Sequence, residues 1–251
     1  MRSLYFSAIL LISLAACNNN TTPGHQADSS KTATTTAPAA PRLTGTFQGT
    51  IPCADCPGID YQISLYDDHT FSELTAYQGR GGGIATVSNG SWKQLNDSIV
   101  LIRKKTDSSS FLAAAGKLIL LDRAGKRIEG VLASNYELKP VEGGDRRSIN
   151  AEKSKAGITF TASGNEPFWT LDLDKKSIHY KSANGDSILA ALPAPRPNTD
   201  TLKVYTTPAI TVSIRNTACS DDMSGVMRPN TVEVKIKDHT YRGCGEHLMH
   251  N

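Results

Sequence analysis

From Leu43 onward, apolar residues recur at alternate positions in short runs. In "IDYQISLY", Ile59, Tyr61, Ile63 and Leu65 fall on one face and Asp60, Gln62 and Ser64 on the other. That alternation is the pattern of a half-buried strand. "TVEVKIK" repeats it, with Val232, Val234 and Ile236 opposed to Glu233, Lys235 and Lys237. "TGTFQGTI", "TFSELTAY", "SIVLIR" and "KLILLD" are further runs rich in Ile, Val, Leu, Tyr and Thr. Turn signals separate them at Pro57, Asp67, Gly79 and Leu95. Strands about ten residues apart with polar turns predict a meander that closes into a barrel or a sandwich. The pattern predicts no amphipathic helix of convincing length.

The meander ends near Pro140. "VEGGDRRSINAEKSK" follows, charged and glycine-bearing, with two isolated apolar residues. It reads as a linker over 141–156. Strand texture resumes with "GITFTASG", "FWTLDL", "SIHYKS", "LKVYTT" and "AITVSIR", and no repeat links the two halves. The expectation is an all-β protein of two small β domains, 43–140 and 157–251.

The start of the chain has a different texture. Arg2 precedes an apolar run, Leu4 to Leu14, that ends in "LAAC" at Cys17. A short charged region, an apolar core and small residues before the cut read as a secretory signal over 1–16. The run is too short for a membrane span, which needs about 20 residues. A cysteine directly after Leu-Ala-Ala resembles the lipobox of bacterial lipoproteins, which implies cleavage before Cys17 and lipid on its sulfur and new amino group. Residues 17–42 then form a tether of Asn, Thr, Ser, Ala and Pro, a composition that cannot bury enough surface to offset its ordering entropy. Its root-mean-square reach is roughly 25–30 Å. The expectation is a bacterial envelope protein held by its N-terminal lipid at a membrane, taken to be the outer membrane.

Charge narrows the function classes. The chain carries 27 basic and 24 acidic residues, scattered along it. Without a basic stripe there is no nucleic-acid footprint. "GRGGG" at Gly79 lacks the Lys-Ser/Thr and helix of a phosphate-binding loop and reads as a hairpin connection. Neither a Gly-x-Ser-x-Gly nor a His-Glu-x-x-His pattern occurs, so no enzyme is expected. "EPFW" at Glu166–Trp169 reads either as a groove lining or as core aromatics. Met223, Met227, His247, Met249 and His250 are soft or borderline metal ligands near the C-terminus.

With Cys17 set aside, four cysteines remain, an even number suited to an oxidising compartment. Cys219 and Cys244 would close a loop that reads as a structural staple. Cys53 and Cys56, in "IPCADCPGID", sit between two strands. A thioredoxin-type pair would open a helix instead, and a closed zinc site would need four ligands, whereas His69 is the one histidine of 43–140. Copper(I) asks for fewer ligands and is selected by soft thiolates. A reversible turn disulfide, with or without copper(I) on its reduced form, is the reading that remains.

At these residues the chain resembles a known family. "GTFQGTIPCADCPGID", with Phe71, Tyr77 and "GSW" at Gly90–Trp92 following in order, is similar to the N-terminal domain of the NlpE family of envelope lipoproteins. The resemblance covers about 43–140. It implies a lipocalin-like β-barrel with the CxxC near its opening, and a link to copper tolerance and to an envelope-stress sensor partner. "GNEPFWTLDL" and "CSDDMSGVMRPNTVEVKIKDHTYRGCGE" instead resemble a family of uncharacterised bacterial envelope proteins. Two other readings stand beside this one: a carrier of small apolar ligands inside the barrel, and a thiol-redox protein.

Overall fold

Alternation along the first strands has a simple consequence: one face of each must be covered, and the strands cover it by closing on themselves. In the structure, a computed structural model that describes residues 43–79, 83–96, 98–104 and 107–248, β1 (Gly45–Ile51), β2 (Ile59–Leu65), β3 (Thr70–Tyr77) and β4 (Ala85–Leu95) follow in order. They continue through β5 (Ser98–Lys104), β6 (Asp107–Ala114), β7 (Lys117–Leu120) and β8 (Glu137–Val141). Each strand pairs antiparallel with the next, and β8 returns to β1 through Thr46, Phe47 and Gln48, closing an eight-stranded barrel. The interior is filled by Phe47, Ile63, Leu65, Phe71, Ile99, Leu101, Phe111, Leu118 and Leu138. Closure leaves no free strand edge in this sheet. Readings that fall on Cys17, the signal, the tether, Met249 and His250 lie outside the described residues.

The second half forms β9 (Phe160–Asn165), β10 (Phe168–Leu173), β11 (Ser177–Ser182), β12 (Ser187–Ala191), β13 (Leu202–Thr206) and β14 (Thr211–Arg215). A two-residue pair, β15 (Cys219–Ser220) and β16 (Met227–Arg228), precedes β17 (Asn230–Ile236) and β18 (His239–His247). Eight of these make one antiparallel sheet in the order β12-β11-β10-β9-β18-β17-β14-β13. Its core gathers Phe160, Trp169, Leu171, Ile178, Tyr180, Val212, Val232 and Val234. The fold class is therefore all-β, with a closed barrel first and an open sheet second. Of the "EPFW" aromatics, Trp169 is buried in this core and Phe168 is exposed.

Two differences from the sequence pattern have one cause. The stretch read as linker contains a helix, α1 (Arg147–Lys155). None of its residues is buried, so it lacks the apolar stripe that periodicity detects. Polar contacts hold it instead, as suits a helix bridging two bodies. Lys153 Nζ donates to Asp172 of β10 and Thr161 of β9, both at 2.7 Å. On the barrel side, Arg147 pairs with Asp68 at 2.9 Å and its guanidinium lies 3.4 Å from the Tyr66 ring centroid.

The second difference is β2 itself. Its polar face was expected to meet solvent, but Gln62 is 8% exposed and Ser64 is 4% exposed. The Gln62 amide donates to Met227 O at 3.1 Å and accepts from Met227 N–H at 2.8 Å. Leu74, Ala85 and Met227 form a small apolar cluster beside it. Ala85 N–H donates to Asn216 O and Ala218 N–H to Gly83 O. The segment 216–228 is thus a strap lying on the outer wall of the barrel, and it needs the polar face of β2 as its seat.

Candidate functional site: the disulfide turn at the barrel end

β1 and β2 pair from Gly45↔Leu65 to Ile51↔Ile59. The seven residues between them, "PCADCPG", must reverse the chain at that end of the barrel. Cys53 and Cys56 lie three apart with Cα atoms 5.2 Å from each other, and the structure joins their sulfurs at 2.06 Å. Both are half-buried, while Ala54, Asp55 and Pro57 are exposed. The turn is seated on the barrel rather than projecting from it. Gly58 O accepts from Gln78 N–H at 2.9 Å. Asp60 accepts from Thr50 Oγ1 at 2.9 Å and Gln78 Nε2 at 2.7 Å, tying β1, β2 and β3 together below the turn. A side chain at Gly58 would place its Cβ 2.6 Å from Thr50 Cγ2, so glycine is required by space there.

The chemistry of the turn follows from its neighbours. The Asp55 carboxylate and the two sulfurs lie within 4.8 Å of one another. This third donor escapes sequence reading because a lone aspartate carries no ligand signal; its position between the two cysteines was the available clue. A carboxylate beside reduced sulfurs opposes thiolate formation, whereas a cation or a helix N-terminus would favour it. Residue 59 opens a strand, not a helix. The electrostatics therefore do not build a thioredoxin-type nucleophile. Once reduced, two sulfurs and one carboxylate would make a mixed soft and hard donor set open on one side.

The second pair lies in the strap. Cys219 of β15 is joined to Cys244 of β18 at 1.99 Å, with Cα atoms 5.4 Å apart. The bond fixes the strap to the sheet just before Met227 reaches the barrel. Arg228, 4% exposed, follows and donates to Ser163 Oγ and Thr161 O at 3.0 Å each, with Glu246 at 3.3 Å. Burial pulls its pKa down to about 10 against the opposing pull of Glu246. Sequence reading missed Gln62, Met227 and Arg228 as joint residues, since only the tertiary contact gives them that role. Met223 is exposed, Met227 is buried against the barrel, and His247 packs edge-on to Phe160 at 4.9 Å.

The barrel interior bears on the carrier reading. Bulky side chains occupy it, and Tyr61 OH donates to the buried Glu73 carboxylate within it.

Comparison with known proteins bears on this first barrel above all. Residues 47–131 match the NlpE N-terminal domain family. The chain is 30% identical over 137 residues to lipoprotein NlpE of Escherichia coli K12, an alignment covering 54% of this chain and 55% of that protein. The chain thus spans about half the length of the curated relative it matches. Among solved structures, a crystal structure from Shewanella oneidensis is 31% identical, covering 41% of this chain and 91% of that one, with a TM-score of 0.36. The crystal structure of the Cpx pathway activator NlpE from E. coli is 20% identical, covering 83% and 97%, with a TM-score of 0.33. The stretch that carries the CADC turn between β1 and β2 and most of the closed barrel is therefore similar to the NlpE N-terminal domain.

Proposed function

We propose that this protein is an NlpE-like envelope lipoprotein that acts in copper homeostasis or envelope-stress sensing and is not an enzyme. In this reading residues 1–16 are a signal peptide, Cys17 carries the lipid anchor, and 17–42 tether the folded part to the outer membrane. Residues 43–140 and 157–251 act as two domains joined by 141–156. The observation that carries the proposal is the NlpE-type disulfide turn seated at the exposed end of the barrel, with Asp55 beside both sulfurs. Cys53 and Cys56 form a disulfide that opens under reducing stress, when an external dithiol reductant delivers two electrons and two protons by thiol–disulfide exchange and is itself oxidised to a disulfide. Reduced, they hold copper(I) with Asp55 at its open side, since soft thiolates select that ion. The E. coli relative is a Cpx pathway activator, which supports an envelope-stress sensor protein as the partner here.

The test is copper(I) binding by the purified chain, oxidised and reduced, against a competing chelator. Cys53→Ser with Cys56→Ser is measured alongside, and the same variant is assayed for copper tolerance and stress signalling in cells. Binding by the reduced wild type alone supports the metal reading. Unchanged binding, tolerance and signalling in the double variant would reduce the pair to a staple.

A further inference from the structure

The open second sheet has two edges, and the chain treats them differently. At β13 the outer side is occupied. Arg196 N–H donates to Val204 O at 2.7 Å, Val204 N–H to Pro197 O at 3.1 Å and Thr199 N–H to Leu202 O at 2.9 Å. Leu202 N–H donates to Thr199 Oγ1 at 3.0 Å. β12 forms the other edge, and among the described residues no further strand or bridge pairs with it.

Register determines which groups of β12 are free. Ser182 N–H donates to Asp186 O at 2.9 Å and Leu192 N–H to Lys176 O at 2.7 Å, at the two ends of the β11–β12 ladder. Both are even-numbered pairs, so Ile188 and Ala190 also turn their backbone groups towards β11. Ser187, Leu189 and Ala191 turn theirs outward, and among the described residues those groups have no partner. The free stretch is bounded on each side. Gly185 N–H donates to Ser182 O at 3.1 Å, and Pro193 has no N–H. Exposed edges are ordinarily blunted by lysine, proline or a bulge. Residues 187–191 contain none of these, and Leu189 stands there 72% exposed.

The complement of this edge is the same strand from a second copy. Set antiparallel about a two-fold axis through Leu189, Ser187 faces Ala191 of the second copy and Leu189 faces Leu189. The outward N–H and C=O groups of all three residues are then paired on both copies. Ile188 and Ala190, half-buried at the margin of the second core, meet Ala190 and Ile188 of the second copy and carry that core across the seam. Charge agrees with this arrangement. The paired stretch is uncharged, so the copies do not repel each other along it. Exposed Asp186 at one end of β12 comes to the end where the second copy carries Lys175 and Lys176. The contact is small, in the class below about 1,200 Å² that gives weak, reversible association.

We propose that β12 is a self-association edge, through which two copies of this chain join their second sheets into one antiparallel sheet across Leu189. The inference is independent of the copper reading. It is tested in cells making the full chain, with single added cysteines and the oxidant diamide, which takes up the two hydrogens as the thiols join. The wild-type chain sets the background. Residues facing each other in a hydrogen-bonded pair have Cα atoms about 5.5 Å apart, within disulfide range. Leu189→Cys should therefore give a covalent homodimer. Ser187→Cys and Ala191→Cys should each stay monomeric when made alone, since each lies roughly 13 Å along the strand from its own copy. Made together, those two chains should cross-link. Adding Leu189→Lys to both should lower that yield by about tenfold, because two ammonium groups then meet on the axis. Thermal unfolding of Leu189→Lys should match wild type, since the side chain is exposed. Monomer throughout would overturn the proposal. So would cross-linking by Ser187→Cys alone as strong as in the mixture, or capture of a different protein as the main product of Leu189→Cys.

Discussion

Single residues in this protein are governed by what surrounds them more than by their type. Tyr180 is almost fully buried in the second core, stacked on Trp169 at 6.0 Å and on Tyr241 at 6.4 Å between ring centroids. Burial, with the nearby Tyr241 and Asp186, pushes its pKa from 10.0 up to about 12. The folded state therefore favours the neutral phenol. The stability this gives is fully present below the ordinary tyrosine value and is lost as pH rises through about 12. Urea midpoints measured from pH 8 upward should hold steady and then fall across that interval. A Tyr180→Phe variant, which has no phenol to ionise, should fall less. Identical alkaline profiles would remove Tyr180 as the cause.

Elements show where hydrophobic period succeeds and fails. β2 is legible in the sequence because Ile59, Tyr61, Ile63 and Leu65 alternate, and all four face the barrel interior or its margin. The same alternation misreads Gln62 and Ser64, because a polar residue buried against a hydrogen-bonding partner looks the same in sequence as one in water. α1 is invisible for the complementary reason: Lys153, Arg146 and Arg147 anchor it by charge, and no apolar stripe marks it. Gln62 supplies the test at this scale. Gln62→Ala removes both partners of the Met227 backbone, leaving a buried N–H and C=O unsatisfied at a cost of about 1–3 kcal/mol. Thermal unfolding should show that loss, with amide exchange at Met227 accelerated and exchange in the barrel interior unchanged. Retained protection at Met227 would mean the strap is held mainly by its other contacts.

Across the whole molecule, the two disulfides are not equivalent. Cys219–Cys244 spans 25 positions and Cys53–Cys56 spans 3. Loop-closure entropy assigns about 3.5 kcal/mol to the longer loop and about 2 kcal/mol to the shorter. Cys219→Ser with Cys244→Ser should therefore lower stability more than Cys53→Ser with Cys56→Ser, as read from denaturant midpoints. The first variant also frees the strap that carries Met227 and Arg228, so it should loosen the join between barrel and sheet. Equal losses would show that the strap is held without its covalent link.

What the sequence by itself determined is the part of the molecule that depends on neighbours along the chain. Alternation gives strands, turn residues give their ends, and the spacing of Cys53 and Cys56 within "CADC" marks the site and its likeness to the NlpE domain. What only the tertiary structure decided is everything that depends on distant segments meeting. Gln62 and Met227 are 165 positions apart, and Arg146 and Glu246 are 100 apart. Neither pair has any local signature, because a hydrogen bond or ion pair needs only proximity of complementary groups and leaves no periodic trace. The closure of β8 on β1 and the seating of the strap on the barrel wall both belong to that second class.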